Sequence, residues 1–347
     1  MNGASGPLMP AEWETHERTW MAWPSSGYTL GDTPDEVTSA RTTWAAVARA
    51  VARFEPVTML VDPSALEVAR GYLEGNGTEH DITLVEAALD DAWMRDIGPT
   101  FVRTDGALAA VDWVFNGWGA QSWASWEQDA KVATLVAGMA EVDVIPSPIV
   151  NEGGGIHVDG EGTVLLTETV QLDPGRNPGA TRTDIEAELA RTIGATTFLW
   201  LPRGLTRDYD EFGTRGHVDI VACFAEPGVV LLHWQEDESH PDHDVSREAE
   251  AVLLGATDAR GRSLTVVRVP APITLTDDEG PVDWSYINHL VCNGGVVACT
   301  FDDAQDERAL DVLRSAYPGR EVVGVDARPL FDRGGGIHCI TQQQPRR

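Results

Sequence analysis

Apolar positions along this chain alternate between two periods. From residue 35 to 54, DEVTSARTTWAAVARAVARF, the residues Val37, Trp44, Val47 and Val51 recur near helical spacing and predict an amphipathic helix. PVTMLV from Pro56 and DITLVEA from Asp81 are short apolar runs that predict strands. SALEVARGYLEG between them predicts a helix, with Ser64 as its cap and a glycine at its end. DDAWMRDIGPTFV then runs into ALAAVDWVF as a hairpin turned at Asp105-Gly106. A helix over 125–140, the strand VDVIPSPIV and a hairpin around Gly160-Glu161-Gly162 follow. TRTDIEAELARTIG predicts a helix and TTFLWLP a strand. Two further hairpins turn at Pro227-Gly228 and Asn293-Gly294. Each is followed by a helix and a strand: SREAEAVLLGAT with LTVVRVPAP, and DAQDERALDVLRSAYPG with REVVGVDA.

One unit therefore recurs: strand, loop, hairpin, helix. The pentad GGGIH occurs twice, in NEGGGIHVDG and in FDRGGGIHCITQQQ, and 60 residues separate His157 from His217. Recurrence of one mixed α/β unit about five times predicts a radial or stacked array. A ring of five would bring the loops RDIGP, NEGGG, GHVD and GGGIHC to one axis. No Pro/Ser/Gly-rich tract interrupts the chain, so residues 1–347 are expected to form a single domain.

Composition narrows the function. Fifty-five acids against 25 bases give a net charge of −30, which speaks against nucleic acid, since phosphate binding needs a basic face. The excess acid is either a solvated surface or a field that concentrates cations. No apolar run reaches membrane-spanning length, and MNGASGPLMPAEWETHER lacks the pattern of a secretory signal; no membrane association and a cytoplasmic location are expected. Cys223, Cys292 and Cys299 lie in apolar strand-like runs and are expected to be buried free thiols. Cys339 differs, with glycine, histidine and polar neighbours.

The four loops hold a coherent chemical set. Cys339 is a nucleophile candidate. His217 and Asp219 sit two apart in a strand-like segment and are expected to face one side. Asp96 lies beside Trp93, and Glu152 precedes the first glycine triplet. Two carboxylates can grip a guanidinium edge to edge and fix its carbon opposite a sulfur. Carboxylates alone would raise the thiol pKa, so the cationic substrate itself is expected to favour ionisation. Histidine can protonate departing ammonia and later activate water. His157 and His338 are expected to be structural. HPDHD from His240 lacks the spacing of a defined metal site, and no metal is expected.

At these motifs the chain resembles the agmatine deiminases, within the Porphyromonas-type peptidyl-arginine deiminase group of the pentein superfamily. The resemblance runs from MPAEWETHERTWMAWP through DDAWMRDIGPTFV, VDWVFNGWG, NEGGGIHVDGEGT, GHVD and PGVVLLHW to GGGIHCITQQQP. It implies a five-bladed α/β propeller and cofactor-free hydrolysis of agmatine, a small cationic guanidino substrate, to N-carbamoylputrescine and ammonia. It makes Cys339 the nucleophile and His217 the general acid/base. Asp96 and Asp219 would hold the guanidinium, and Glu152 would orient the histidine or contact the substrate. Trp93, Trp118, Asp90 and Gly336 become candidates for substrate binding. Three positions depart from the usual pattern: Ile220, Arg215 and Gly336. Arg215 near the site would disfavour a free amine and favour a carboxylate-bearing substrate. Deimination of arginine, peptidyl-arginine or another guanidino compound, amidino transfer, and a non-enzymatic cation-binding role stay open, as does a homo-oligomer.

Overall fold

The computed structural model describes residues 6–75 and 77–347; residues 1–5, part of the stretch read for a secretory signal, lie outside them. Among the described residues the strands form five sheets of three or four strands and one short two-stranded ribbon. The first sheet contains β1 (His16–Ala22), β2 (Val57–Val61) and β3 (Ile82–Glu86). The second contains β4 (Thr100–Thr104), β5 (Ala107–Val114) and β6 (Asp143–Val150). The third contains β7 (Ile156–Val158), β8 (Thr163–Thr167) and β9 (Thr197–Leu201). The fourth contains β10 (Ala222–Glu226), β11 (Val229–Trp234) and β12 (Thr265–Pro270), followed by the ribbon β13 (Thr276–Asp277) and β14 (Gly280–Pro281). The fifth contains β15 (Leu290–Cys292), β16 (Gly295–Thr300) and β17 (Glu321–Asp326). Finally β18 (Thr341–Pro345) returns to the first sheet and pairs antiparallel with β1.

Each of the second to fifth sheets is an antiparallel hairpin plus a third strand parallel to the second. A parallel neighbour needs a crossover, and helices supply it. They are Val132–Met139, Arg182–Ile193, Asp242–Leu254 and Asp306–Ala316. The middle strands are covered on both faces, which is why β2 and β8 are buried at every residue. Local chemistry sets the element ends. Thr33 and Glu36 form a capping box before the helix Pro34–Val51, and Thr181 and Asp184 form another before Arg182–Ile193. The Asp105-Gly106 turn pairs Thr104 with Ala107 and places both turn residues at positive φ, 50° and 82°. Trp44 is fully buried on the Pro34–Val51 helix and meets Trp93 edge to face at 5.8 Å. Truncating a tryptophan in such a core costs roughly 3–5 kcal/mol.

Three local expectations change. Asp62, not Ser64, caps the start of the second helix, accepting the Ser64 N–H at 3.0 Å. β1 and β18 carry polar residues where a buried strand normally reads apolar, and the pattern leaves them unmarked. β18 is TQQQP yet wholly buried, because it lies between β1 and the Arg95 loop: Gln344 accepts the Trp20 indole N–H, and Gln342 accepts from Arg95 and donates to the Pro99 carbonyl. The segment after His217 is a 3-10 turn, Val218–Ile220, not a strand.

Candidate active site

The sequence-predicted thiol, imidazole and carboxylates of the site lie between the last strand of one sheet and the first strand of the next. Asp96 follows β3, Glu152 follows β6, His217 and Asp219 follow β9, and Cys339 follows β17. The fourth such connection, after β12 and its ribbon, holds Asn288. Five units demand five loops, and only four had been filled from the sequence. That empty fifth position was the signal for Asn288.

Cys339 is 4% exposed. Its sulfur lies 3.6 Å from Asp219 Oδ2 and accepts from Asn288 Nδ2 at 3.3 Å. The Asn288 Oδ1 takes the His338 backbone N–H at 3.0 Å, so one carboxamide orients the whole turn. Burial, then Asp219 and Asp96, push the thiol well above its ordinary range. The expectation that the carboxylates oppose ionisation is met.

His217 reaches these carboxylates through the 3-10 turn. Its Nε2 is 3.3 Å from Glu152 Oε2, and its Nδ1 faces Asp96 Oδ1 at 3.9 Å without a hydrogen bond. Burial would lower its pKa, but Asp96, Glu152 and Asp219 outweigh it and push the imidazole up to about 9. Glu152 takes both oxygens' share of Arg176 Nε, each at 3.0 Å. Burial opposes its charge, yet Arg176 and then His217 hold it below the ordinary carboxylate range. Asp96 accepts from Trp118 Nε1 at 2.9 Å and Gly154 N at 3.1 Å. Burial nevertheless pushes it up to about 6. The indole that bonds Asp96 is thus Trp118 from another loop; Trp93 beside it in sequence bonds Thr29.

Asp219 is the junction of a second chain of charges. His338 Nδ1 meets Asp219 Oδ2 at 2.8 Å and its Nε2 meets Glu12 Oε1 at 2.8 Å. His157 Nε2 lies 3.6 Å from the other Glu12 oxygen. The two GGGIH histidines therefore converge on one glutamate. Burial would raise Asp219, but the His338 hydrogen bond and charge hold it below its ordinary value. Among the described residues its remaining oxygen, Oδ1, is buried with no partner, as is His217 Nδ1. A ligand N–H group satisfies the carboxylate oxygen, while the protonated imidazole is left as a donor.

The glycine triplets serve close approach. A side chain on Gly154 would collide with the His217 ring, and one on Gly335 would come within 2.7 Å of the Trp93 ring and 3.0 Å of the Cys339 sulfur. A narrow cavity reaches the sulfur, lined by Trp93, Trp118, Trp123, Phe212, Thr214, Gly334, Asp96 and Cys339. Trp118 stacks on Trp123 at 5.3 Å and holds a positive φ of 56°. Such backbone strain persists where the surroundings over-determine it.

Two expected wall residues are elsewhere. Gly336 faces the Asn288 carboxamide, which lies 2.5 Å from where a Cβ would stand, so Asn288 fills the space and Gly334 borders the cavity instead. Asp90 is turned into a carboxylate cluster. It accepts the Gln128 N–H at 2.6 Å and gives its own N–H to Asp129 Oδ1 at 2.9 Å. Burial first, then the neighbouring acids, push Asp129 up to about 8. The folded state holds that proton more tightly than the unfolded chain, so this group's contribution falls as pH rises from about 4 towards about 8. Asp129→Asn is therefore expected to melt a few °C above the parent at pH 8, with the gap closing towards pH 4, in calorimetric scans.

Arg215 does not enter the cavity. It pairs with Asp173 at 3.2 Å, which also holds Arg176 at 3.1 Å. The expected preference for a carboxylate-bearing substrate loses its cation. Cys223, Cys292 and Cys299 are buried free thiols, as expected. Glu12, Asn288, Arg176, Trp123 and Phe212 were not singled out from the sequence. Apart from the empty fifth loop, nothing in their local pattern separates them from packing residues.

A buried thiol beside paired carboxylates and a charged imidazole defines a cysteine-centred site for a small planar cation. The chain belongs to the Porphyromonas-type peptidyl-arginine deiminase family, whose sequence model matches residues 8–345. It is 60% identical over 341 residues, 97% of this chain and 98% of the relative, to a Streptomyces coelicolor protein provisionally named agmatine deiminase. It is 41% identical to the agmatine deiminase of Stutzerimonas stutzeri, covering 98% of this chain and 96% of that protein. The mixed α/β fold matches the solved agmatine deiminase of Enterococcus faecalis with a TM-score of 0.90 at 34% identity, covering 100% of this chain and 99% of that one.

Proposed function

We propose that this protein hydrolyses agmatine to N-carbamoylputrescine and ammonia. The observation that carries the reading is a thiol beside an Asp219 oxygen that has no partner among the described residues, with Asp96 and His217 next to them, at one aromatic cavity. Asp96 and Asp219 hold the guanidinium edges. The arriving positive charge offsets the carboxylates, and the Cys339 proton leaves to water as the substrate enters. The thiolate attacks the central carbon, and a C–S bond forms as the C=N electron pair moves to nitrogen. His217, charged near neutral pH, gives its proton to the departing amine, and the C–N bond breaks to release ammonia. The neutral imidazole then takes a proton from water, whose oxygen attacks the amidino-cysteine. The C–S bond breaks as the hydroxyl proton passes to the sulfur, leaving the urea group on the product and restoring the thiol. Glu152, anchored by Arg176, orients His217. Trp93 and Trp118 flank the aliphatic stem.

The same reading includes the architecture. Five sheets of similar strand pattern, the return of β18 to β1, and five inter-sheet loops supplying the site support a single domain built as a five-bladed α/β propeller. Among the described residues no helix is long and apolar enough to cross a membrane. Ammonia release from a panel of agmatine, arginine and a blocked arginine peptide tests the function. Agmatine is expected to be the preferred substrate; release from arginine at a higher kcat/KM sinks the assignment.

A further inference from the structure

A second, small cavity shares Phe212 and Gly334 with the catalytic one. Asp208, Glu211, Glu279, Asp283 and Asp332 line it, against the single base Arg207. Most of the buried charge here is already engaged. Asp208 accepts the backbone N–H groups of Thr214, Gly216 and His217, which shapes the catalytic loop. Arg207 is held by Asp277 and Glu279.

Asp283 is different. It is only 9% exposed, it borders the chamber, and among the described residues its one hydrogen bond is from its own backbone. Burial pushes it up to about 8, with the Asp208 charge adding to the effect. A buried carboxylate left this way is costly until a cation pairs with it.

The partition between the two cavities is aromatic. The Phe212 ring stacks on Tyr28 at 3.5 Å and meets Trp123 edge-on at 5.2 Å, from a backbone with φ of +71°. Asp96 is the one carboxylate among the residues lining the catalytic cavity, and with Asp219 beside the sulfur it belongs to the guanidinium. Agmatine carries a second positive charge four methylenes away. With the guanidinium at Cys339, no second carboxylate among that cavity's lining residues is left for the ammonium, and an acidic lining adjoins it at Phe212 and Gly334.

We propose that the chamber is an ammonium subsite and that Asp283 is its specificity-determining carboxylate, receiving the primary ammonium of the substrate across the Phe212–Gly334 border. The inference rests on the deiminase reading above and deepens it. It also supplies a reason for rejecting arginine, whose α-carboxylate would approach a surface of like charge.

The test compares agmatine with n-butylguanidine, which has the same guanidine and chain but no ammonium. Asp283→Asn keeps the shape and cannot take on the negative charge that a bound ammonium would favour. The ratio of KM for agmatine to KM for n-butylguanidine is expected to rise roughly tenfold in Asp283→Asn, as for loss of one charged hydrogen bond. Asp283→Glu is expected to return the ratio towards the parent value. A ratio equal in parent and Asp283→Asn overturns the subsite and leaves the ammonium to aromatic faces or solvent. If the parent protein releases ammonia from neither compound, the deiminase reading itself fails and takes the subsite with it.

Discussion

Replacing Cys339 with alanine is expected to lower ammonia release from agmatine by at least about 10⁴-fold, since no other group at the site can form the covalent intermediate. Asp96, Asp219 and His217 remain in place, so agmatine is still expected to bind, and calorimetric titration reads that directly. Quenching the parent protein during turnover should trap an amidino group on Cys339, visible by mass spectrometry of the peptide. Release within tenfold of the parent would mean that water, activated by His217, attacks without the sulfur. Cys223, Cys292 and Cys299 cannot substitute, because each lies in a strand and none lines the catalytic cavity.

Asp219→Asn tests the other half of the mechanism, and two readouts should move in opposite directions. The substitution removes the carboxylate that holds one guanidinium edge and that His338 anchors. Deimination is expected to fall by roughly 10²–10⁴-fold in kcat/KM, the scale for losing a positioned charged contact at the reacting centre. The same carboxylate is the largest electrostatic influence raising the Cys339 thiol. Its loss should lower the thiol pKa, so iodoacetamide should alkylate Cys339 faster at neutral pH even as turnover collapses. Parallel loss of both would point to a general disruption of the site instead. Adding a cationic guanidine to the parent should also speed alkylation, if substrate charge promotes ionisation.

Much of the site was legible because each catalytic residue sits in a short motif of unusual composition. A thiol after a glycine triplet, a carboxylate before the same triplet, and HVD at a related interval have few packing explanations. The hairpins were legible because Asp-Gly, Pro-Gly and Asn-Gly pairs constrain the backbone locally: Gly106, Gly228 and Gly294 all take positive φ. The polar strand β18 was not legible. Its glutamines are satisfied by Trp20, Arg95 and Pro99, partners between 243 and 324 residues away that no local window contains. Glu12 was missed for the same reason: only in three dimensions do His157, His338 and Arg95 surround it.

Taken alone, the sequence determined the repeating unit, the positions of its turns and the identity of the reactive groups, because these depend on periodicity, backbone sterics and side-chain chemistry within a few residues. The tertiary structure decided which groups meet. It turned Asp90 and Arg215 away from the cavity, since each finds a closer partner, Gln128 with Asp129 and Asp173 respectively. It brought Asn288 against the sulfur and placed a proton-rich His338 behind Asp219. Distance and burial set those charges, and neither is a property of a residue's neighbours in the chain.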